Sequence, residues 1–138
     1  MLNPAVISQN DNMVAINAIL QVDLYGQCNA EHLDGSQYSG VGGQLDFVRG
    51  AYMSKRGISV LAFYSTAKKG TISRVVPRLA EGSMVTTPRM DTHYLATEHG
   101  IVNIKGKSSR ERALALISIA HPKFRDDLLR EAEDMYLM

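Results

Sequence analysis

"ISVLAFYST", residues 58–66, is the stretch on which the fold turns. A strand exposed on one side alternates apolar and polar residues. This near-continuous apolar run instead reads as a strand buried on both faces, as in a parallel sheet covered on each side. It predicts Val60–Tyr64 as an interior strand of the sheet. Downstream, "TISRVVP" (71–77) reads as a further strand stopped by Pro77, and "MVTTP" (84–88) as a short one. "HYLATEHGIVNIKG" (93–106) holds two extended runs around Glu98-His99-Gly100, which predicts a tight strand–turn–strand.

Upstream, "MVAINAILQVDLYGQ" (13–27) spaces Val14, Ile16 and Ala18, then Leu20, Val22 and Leu24, two apart. That is the period of a strand, here entering a turn at Gly26, with "CNAEHL" as its partner. Residues 44–54 change period. Leu45, Val48, Ala51 and Tyr52 share one helical face, and Gly50 weakens that helix without forbidding it. At Ser108-Ser109-Arg110-Glu111 the helical period returns behind a capping box. Ala113, Leu114, Ile117 and Ala120 follow on one face. His121-Pro122 closes this helix and opens the next, whose stripe is Phe124, Leu128, Ala132 and Met135. The sum is one α/β sheet domain closed by two C-terminal helices, near 108–120 and 122–135.

The chain has 138 residues, 45% apolar and 21% charged, with a net charge of +1. That suits one globular domain with its own core. Acids and bases are interspersed, so no nucleic-acid footprint is seen. No apolar run approaches the roughly 20 residues of a membrane span, and the first residues lack a basic start and an apolar core of a leader. Cys28 is the only cysteine, which excludes internal disulfides and suits a reducing compartment. His32, His93, His99 and His121 show no metal-ligand spacing, so no metal is expected.

"SGVGGQLDFVRG" (39–50) places Gly40, Gly42 and Gly43 before the first long helix. The dinucleotide fingerprint lacks its third glycine, and the P-loop ending is absent. Two readings stay open. The glycines serve a turn needing positive φ, or they let a ligand approach backbone N–H groups at a helix start. Such N–H groups can also steady an oxyanion. Lys68 and Lys69 follow the buried strand, where open α/β sheets bind ligands, or they line a solvated loop. Arg89, Asp91, His93, Glu98 and His99 surround a turn and show no triad spacing.

"INAILQVDLYGQCNAE", "SGVGGQLDFVRGAYMS", "STAKKGTISRVVP" and "VTTPRMDTHYLATEHGIVNIKGKSSRERALALISIAHPKFRDDL" together resemble the C-terminal region of the acetyl-CoA hydrolase/transferase family. The resemblance runs from about Asn3 to Leu129, and "GVGGQLDF" and "HYLATEHGIVNIKGKSSRERA" are most similar to its butyrate and 4-hydroxybutyrate branch. It implies an open sheet of the CoA-transferase (NagB/RpiA-like) type. It also implies covalent ping-pong catalysis in which a glutamate attacks an acyl-CoA thioester and passes through a glutamyl-CoA intermediate. Coenzyme A or acyl-CoA is then substrate, with no covalently bound cofactor. The resemblance makes Gly43 a backbone oxyanion donor, with Gly42 beside it at the bound thioester. It places Asn3 and Lys68 near CoA, and gives Glu98 the task of ordering the site through an arginine elsewhere. The six glutamates, Glu31, Glu81, Glu98, Glu111, Glu131 and Glu133, do not match the nucleophile position. Residues 1–138 are therefore expected to be the C-terminal portion of a second domain. The expected partners are the N-terminal part of the same enzyme, acyl-CoA and a short carboxylate. A homo-oligomer in the cytoplasm is expected, and the chain alone is expected to be catalytically silent and to leave an apolar surface uncovered.

Overall fold

The computed structural model describes residues 2–138. In chain order the elements are α1 (Pro4–Ile7), β1 (Val14–Ala18), β2 (Gln21–Asp23), β3 (Cys28–Asn29), β4 (His32–Leu33), β5 (Ser36–Gln37) and α2 (Gln44–Met53). Then come β6 (Ile58–Ala62), β7 (Thr66–Ala67), β8 (Ile72–Ser73), β9 (Val75–Val76), β10 (Tyr94–Thr97), β11 (Gly100–Asn103), α3 (Ser109–Ile119) and α4 (Pro122–Asp134). The main sheet has the order β1-β6-β10-β11. β6 is interior, parallel to β1 on one side and to β10 on the other, while β11 returns antiparallel to β10. The α/β class and an interior strand follow the apolar run, but the strand spans Ile58–Ala62 rather than Val60–Tyr64, and Tyr64 lies beyond it, 74% exposed.

The run does not have cover on both faces. Residues paired across the strands share a face, so Ala15, Ser59, Leu61 and Leu95 lie on one side, all buried. There they join Val48 of α2 and Ala113, Leu116 and Ile117 of α3 in one core. The opposite face carries Val14, Ile16, Ile58, Val60 and Ile101. Val14 is 53%, Ile16 68% and Ile101 59% exposed. The apolar composition marks both faces for burial, and the described residues cover only one.

The long strand expected over 13–27 is two strands in two sheets. At Ile19 and Leu20 the backbone changes partner: Ile19 N–H donates to Ala62 O and Leu20 N–H to Asn29 O. β2 then lies between β3 and β9 in a second sheet. "TISRVVP" divides in the same way at Arg74. "CNAEHL" divides at Asn29, whose Oδ1 accepts the N–H groups of Glu31 and His32 and turns the chain. "MVTTP" is not a strand, and only Thr87 makes a bridge, to Cys28.

The helices match their signals more closely. Ser108 Oγ accepts the Glu111 N–H at 3.3 Å and Glu111 returns the bond to Ser108 N–H at 2.7 Å. His121 Nδ1 accepts the Lys123 N–H, with Pro122 as the first residue of α4. Ala113, Ile117 and Ala120 are buried as expected, but Leu114 is exposed and Leu116 and Ile119 take its place. Helix α1 was not foreseen. Asn3 caps it through Oδ1 to the Ala5 N–H, and it lies on Gly50 of α2, where a Cβ would stand 2.6 Å from Ile7 Cβ. Gly50 is thus the contact point of two helices.

Candidate functional site

The parallel strands β1, β6 and β10 end together, and a cavity of about 430 Å³ opens there. Its floor is Ala18, Ala62 and Ala96, one residue from each strand in mutual register. Ligands in open α/β sheets sit at such strand ends. Phe63 adds apolar wall, and Arg74 and Glu98 supply charge.

Glu98 occupies the turn between β10 and β11. Its Oε2 accepts the Ser65 N–H at 2.9 Å and its Oε1 accepts the Ser65 hydroxyl at 2.5 Å. Burial raises its pKa, but the hydroxyl and N–H bonds together outweigh burial and hold it below the usual carboxylate range. His99 Nε2 lies 3.6 Å from Oε1. The carboxylate is therefore ionised at neutral pH and fixed by Ser65, the residue just before β7.

The glycine loop leads into α2. Gly42 has φ +62°, so a turn needing positive φ is present. Gly43 has φ −106° and ψ 14°, and it is the N-cap of α2 without any side-chain cap. The N–H groups of the first helical turn have no intrahelical acceptor, which leaves donors at this end. A Cβ on Gly43 would collide with the Leu2 side chain. Gln44 ties this end of the helix to the cavity. Its Nε2 donates to Ala18 O at 2.9 Å, and its Oε1 accepts from the Thr87 hydroxyl at 2.9 Å.

Lys68 lines a neighbouring cavity of about 300 Å³ with Leu20, Leu33 and Arg74. It stands in the β7–β8 hairpin, where Lys68, Lys69 and Gly70 have φ of +48°, +56° and +83°. Asn3 spends its Oδ1 on capping α1, and the adjacent Leu2 packs against Gly43. Lys68 and Glu98 thus lie in adjoining cavities that share Arg74. Gly43 connects to the first cavity through Gln44, and Asn3 is next to the residue that packs on Gly43. Gln44, Ser65 and Arg74 escaped the sequence reading. The signal for Arg74 was one cation inside an otherwise strand-like run, and for Gln44 an amide as the first helical residue.

Among the described residues no group of three or more His, Cys, Asp or Glu could hold a metal ion, and no helix is long and apolar enough to cross a membrane. The buried Cys28 thiol is pushed up to about 12 by burial, so it is not a nucleophile near neutral pH.

Residues 1–132 match the family model described as the acetyl-CoA hydrolase/transferase C-terminal domain. The chain belongs to the acetyl-CoA hydrolase/transferase family. It is 54% identical over 129 residues to the 4-hydroxybutyrate coenzyme A transferase of Clostridium kluyveri, covering 94% of this chain and 30% of that protein. The crystal structure of RipA from Yersinia pestis superposes with a TM-score of 0.92 at 60% identity, over 99% of this chain and 30% of that one. A 4-hydroxybutyrate CoA-transferase structure from Porphyromonas gingivalis gives 0.79 at 46% identity, over 96% and 29%. The chain thus spans about 30% of the length of these family members.

Proposed function

We propose that this chain is the C-terminal portion of a CoA-transferase that moves CoA between a short-chain acyl-CoA and a carboxylate, of the acetyl-CoA:4-hydroxybutyrate or butyrate type. The observation that carries this reading is that the family match falls on a charged cavity at the ends of three parallel strands, with a helix N-terminus tied to its wall.

The nucleophile in this reading is a glutamate in polypeptide upstream of these residues. It adds to the thioester carbonyl and expels CoA thiolate, leaving an acyl-glutamyl anhydride. The thiolate then attacks the glutamyl carbonyl and releases the first acid, giving glutamyl-CoA. The second acid attacks that thioester, and the reverse sequence returns the glutamate and a new acyl-CoA. The residues in hand bind and steady. The Gly43 N–H donates to the oxyanion at each thioester step, with Gly42 shaping the approach. Lys68 holds CoA, Asn3 stands at the same end, and Glu98, clamped by Ser65, orders the site. The part of the open sheet face away from the Ala18–Ala62–Ala96 cavity floor, and the free edge of β1, receive the rest of the polypeptide. The lone buried Cys28 supports a reducing, cytoplasmic setting.

The test is the full-length protein with acetyl-CoA and a series of short carboxylates. Transfer to an added acid, with CoA found covalently on a glutamate, supports the reading. The family description covers hydrolases as well. Acetyl-CoA loss that no added acid intercepts would assign the chain to hydrolysis instead. Activity from residues 1–138 alone would overturn the upstream nucleophile.

A further inference from the structure

We infer that Arg74 holds the carboxylate of the acceptor acid in the cavity beside Glu98; this rests on the transferase reading above. The backbone of Arg74 is pinned on both sides. Its N–H donates to Ser65 O at 2.8 Å, and its carbonyl accepts the Val22 N–H at 3.0 Å. The side chain therefore starts from a fixed point where the two cavities meet. Its guanidinium makes no ion pair with any described residue. The acid in the same cavity, Glu98, already accepts from Ser65 through both oxygens and faces His99. Arg74 is thus a half-buried cation with no ion-pair partner among the described residues, sharing one cavity with Glu98, which is held by Ser65, and the other with Asp34 and Lys68.

The rest of the chamber says which anion fits. Ala18, Ala62, Ala96 and Phe63 offer an apolar surface and no further cation. A guanidinium fork binds a carboxylate through two parallel N–H bonds. The chamber behind it favours an aliphatic tail over a second charged group. The matching ligand is a monocarboxylate with a short aliphatic chain. A CoA phosphate would gain nothing from the alanine floor.

The test uses the full-length enzyme with acetyl-CoA as donor and butyrate as acceptor, comparing wild type, Arg74→Gln and Arg74→Lys. Arg74→Gln is expected to raise the KM for butyrate by roughly tenfold or more, and Arg74→Lys by less, with the KM for acetyl-CoA held within about twofold. A raised KM for acetyl-CoA with that for butyrate unchanged would move Arg74 to the CoA side and overturn the inference. Equal KM values with only a lowered melting temperature would make it structural. A second measurement needs no variant: phenylglyoxal labelling of wild-type Arg74 is expected to be blocked by butyrate and not by free CoA, and the opposite pattern also overturns the inference. If wild type transfers CoA to no acid, the function itself fails, and that control separates the two failures.

Discussion

At the residue scale, three positions make opposing demands. Glycine costs a helix interior about 1 kcal/mol relative to alanine, so Gly50→Ala would ordinarily stabilise α2. Here a Cβ meets Ile7 Cβ at 2.6 Å and Pro4 O at 3.1 Å, and α1 must move. Gly50→Ala is expected to lower stability by about 1–3 kcal/mol, the range for overpacking, in chemical denaturation. Lys69 sits at φ +56°, where a non-glycine residue costs roughly 1–2 kcal/mol. Lys69→Gly is expected to raise the melting temperature; an unchanged or lower value would show that the turn carries no strain. Gly43 has an unstrained φ, so what favours glycine there is space beside the Leu2 side chain, while its N–H is common to any residue but proline. In the full-length enzyme, Gly43→Pro removes that donor and is expected to lower turnover by roughly a hundredfold to a thousandfold. Gly43→Ala, which keeps the N–H and adds a methyl group, is expected to lose less. Near-normal turnover in a folded Gly43→Pro enzyme would leave the loop a turn and nothing more. The place of Gly43 at the start of α2 was legible in the sequence because glycines before a helix are informative. Arg74 was not, because its meaning depends on two cavities that no local pattern describes.

At the element scale, helix ends were readable and strand partners were not. Ser108, Glu111, His121 and Pro122 act on backbone groups within four residues, so their chemistry is visible in order. The apolar spacing of two in the sequence runs on through Ile19–Leu20, although the buried residues change from Ala15 and Ile19 to Val22 and Leu24, so the changes of partner there and at Arg74 left no mark in the pattern. His93, just before β10, links three elements. Its Nδ1 accepts the Ser59 N–H of β6 at 3.4 Å, and its ring packs edge-on against Tyr52 of α2 and tilted on Tyr94 of β10. Burial first, then the Lys105 charge, hold its pKa below the ordinary 6.5. The unfolded chain therefore takes up a proton before the folded one does. The stabilisation is complete above about 6.5 and is lost as pH falls towards the depressed folded value. The denaturation midpoint is expected to fall between about pH 7 and 5, above the range in which Glu98 and Glu111 titrate. His93→Asn keeps an acceptor without the titration and is expected to flatten that slope; an unaltered slope would assign it to other groups.

At the scale of the whole molecule, one face of the main sheet is built and the other is left open. α2 and α3 seal the side of Leu61 and Leu95, while Val14 and Ile16 remain exposed on edge strand β1 and Ile101 on the opposite edge strand β11. Contiguous exposed apolar surface and open strand edges drive association. This chain by itself is expected to self-associate as its concentration rises in sedimentation velocity, and Ile16→Glu is expected to reduce that association. A monomer at every concentration would show that the open face does not draw partners. The sequence by itself determined the α/β class, an interior strand, the three long helices with the capping box of α3 and the Pro122 start of α4, and through its motifs the family. Each of these depends on local period, on backbone groups a few residues away, or on residue order. Only the tertiary structure decided that β1 and β2 belong to different sheets, that Gly50 seats α1, and that Arg74 is shared by the cavities of Lys68 and Glu98. Those facts depend on distances between residues far apart in the chain, which packing sets and local pattern does not encode.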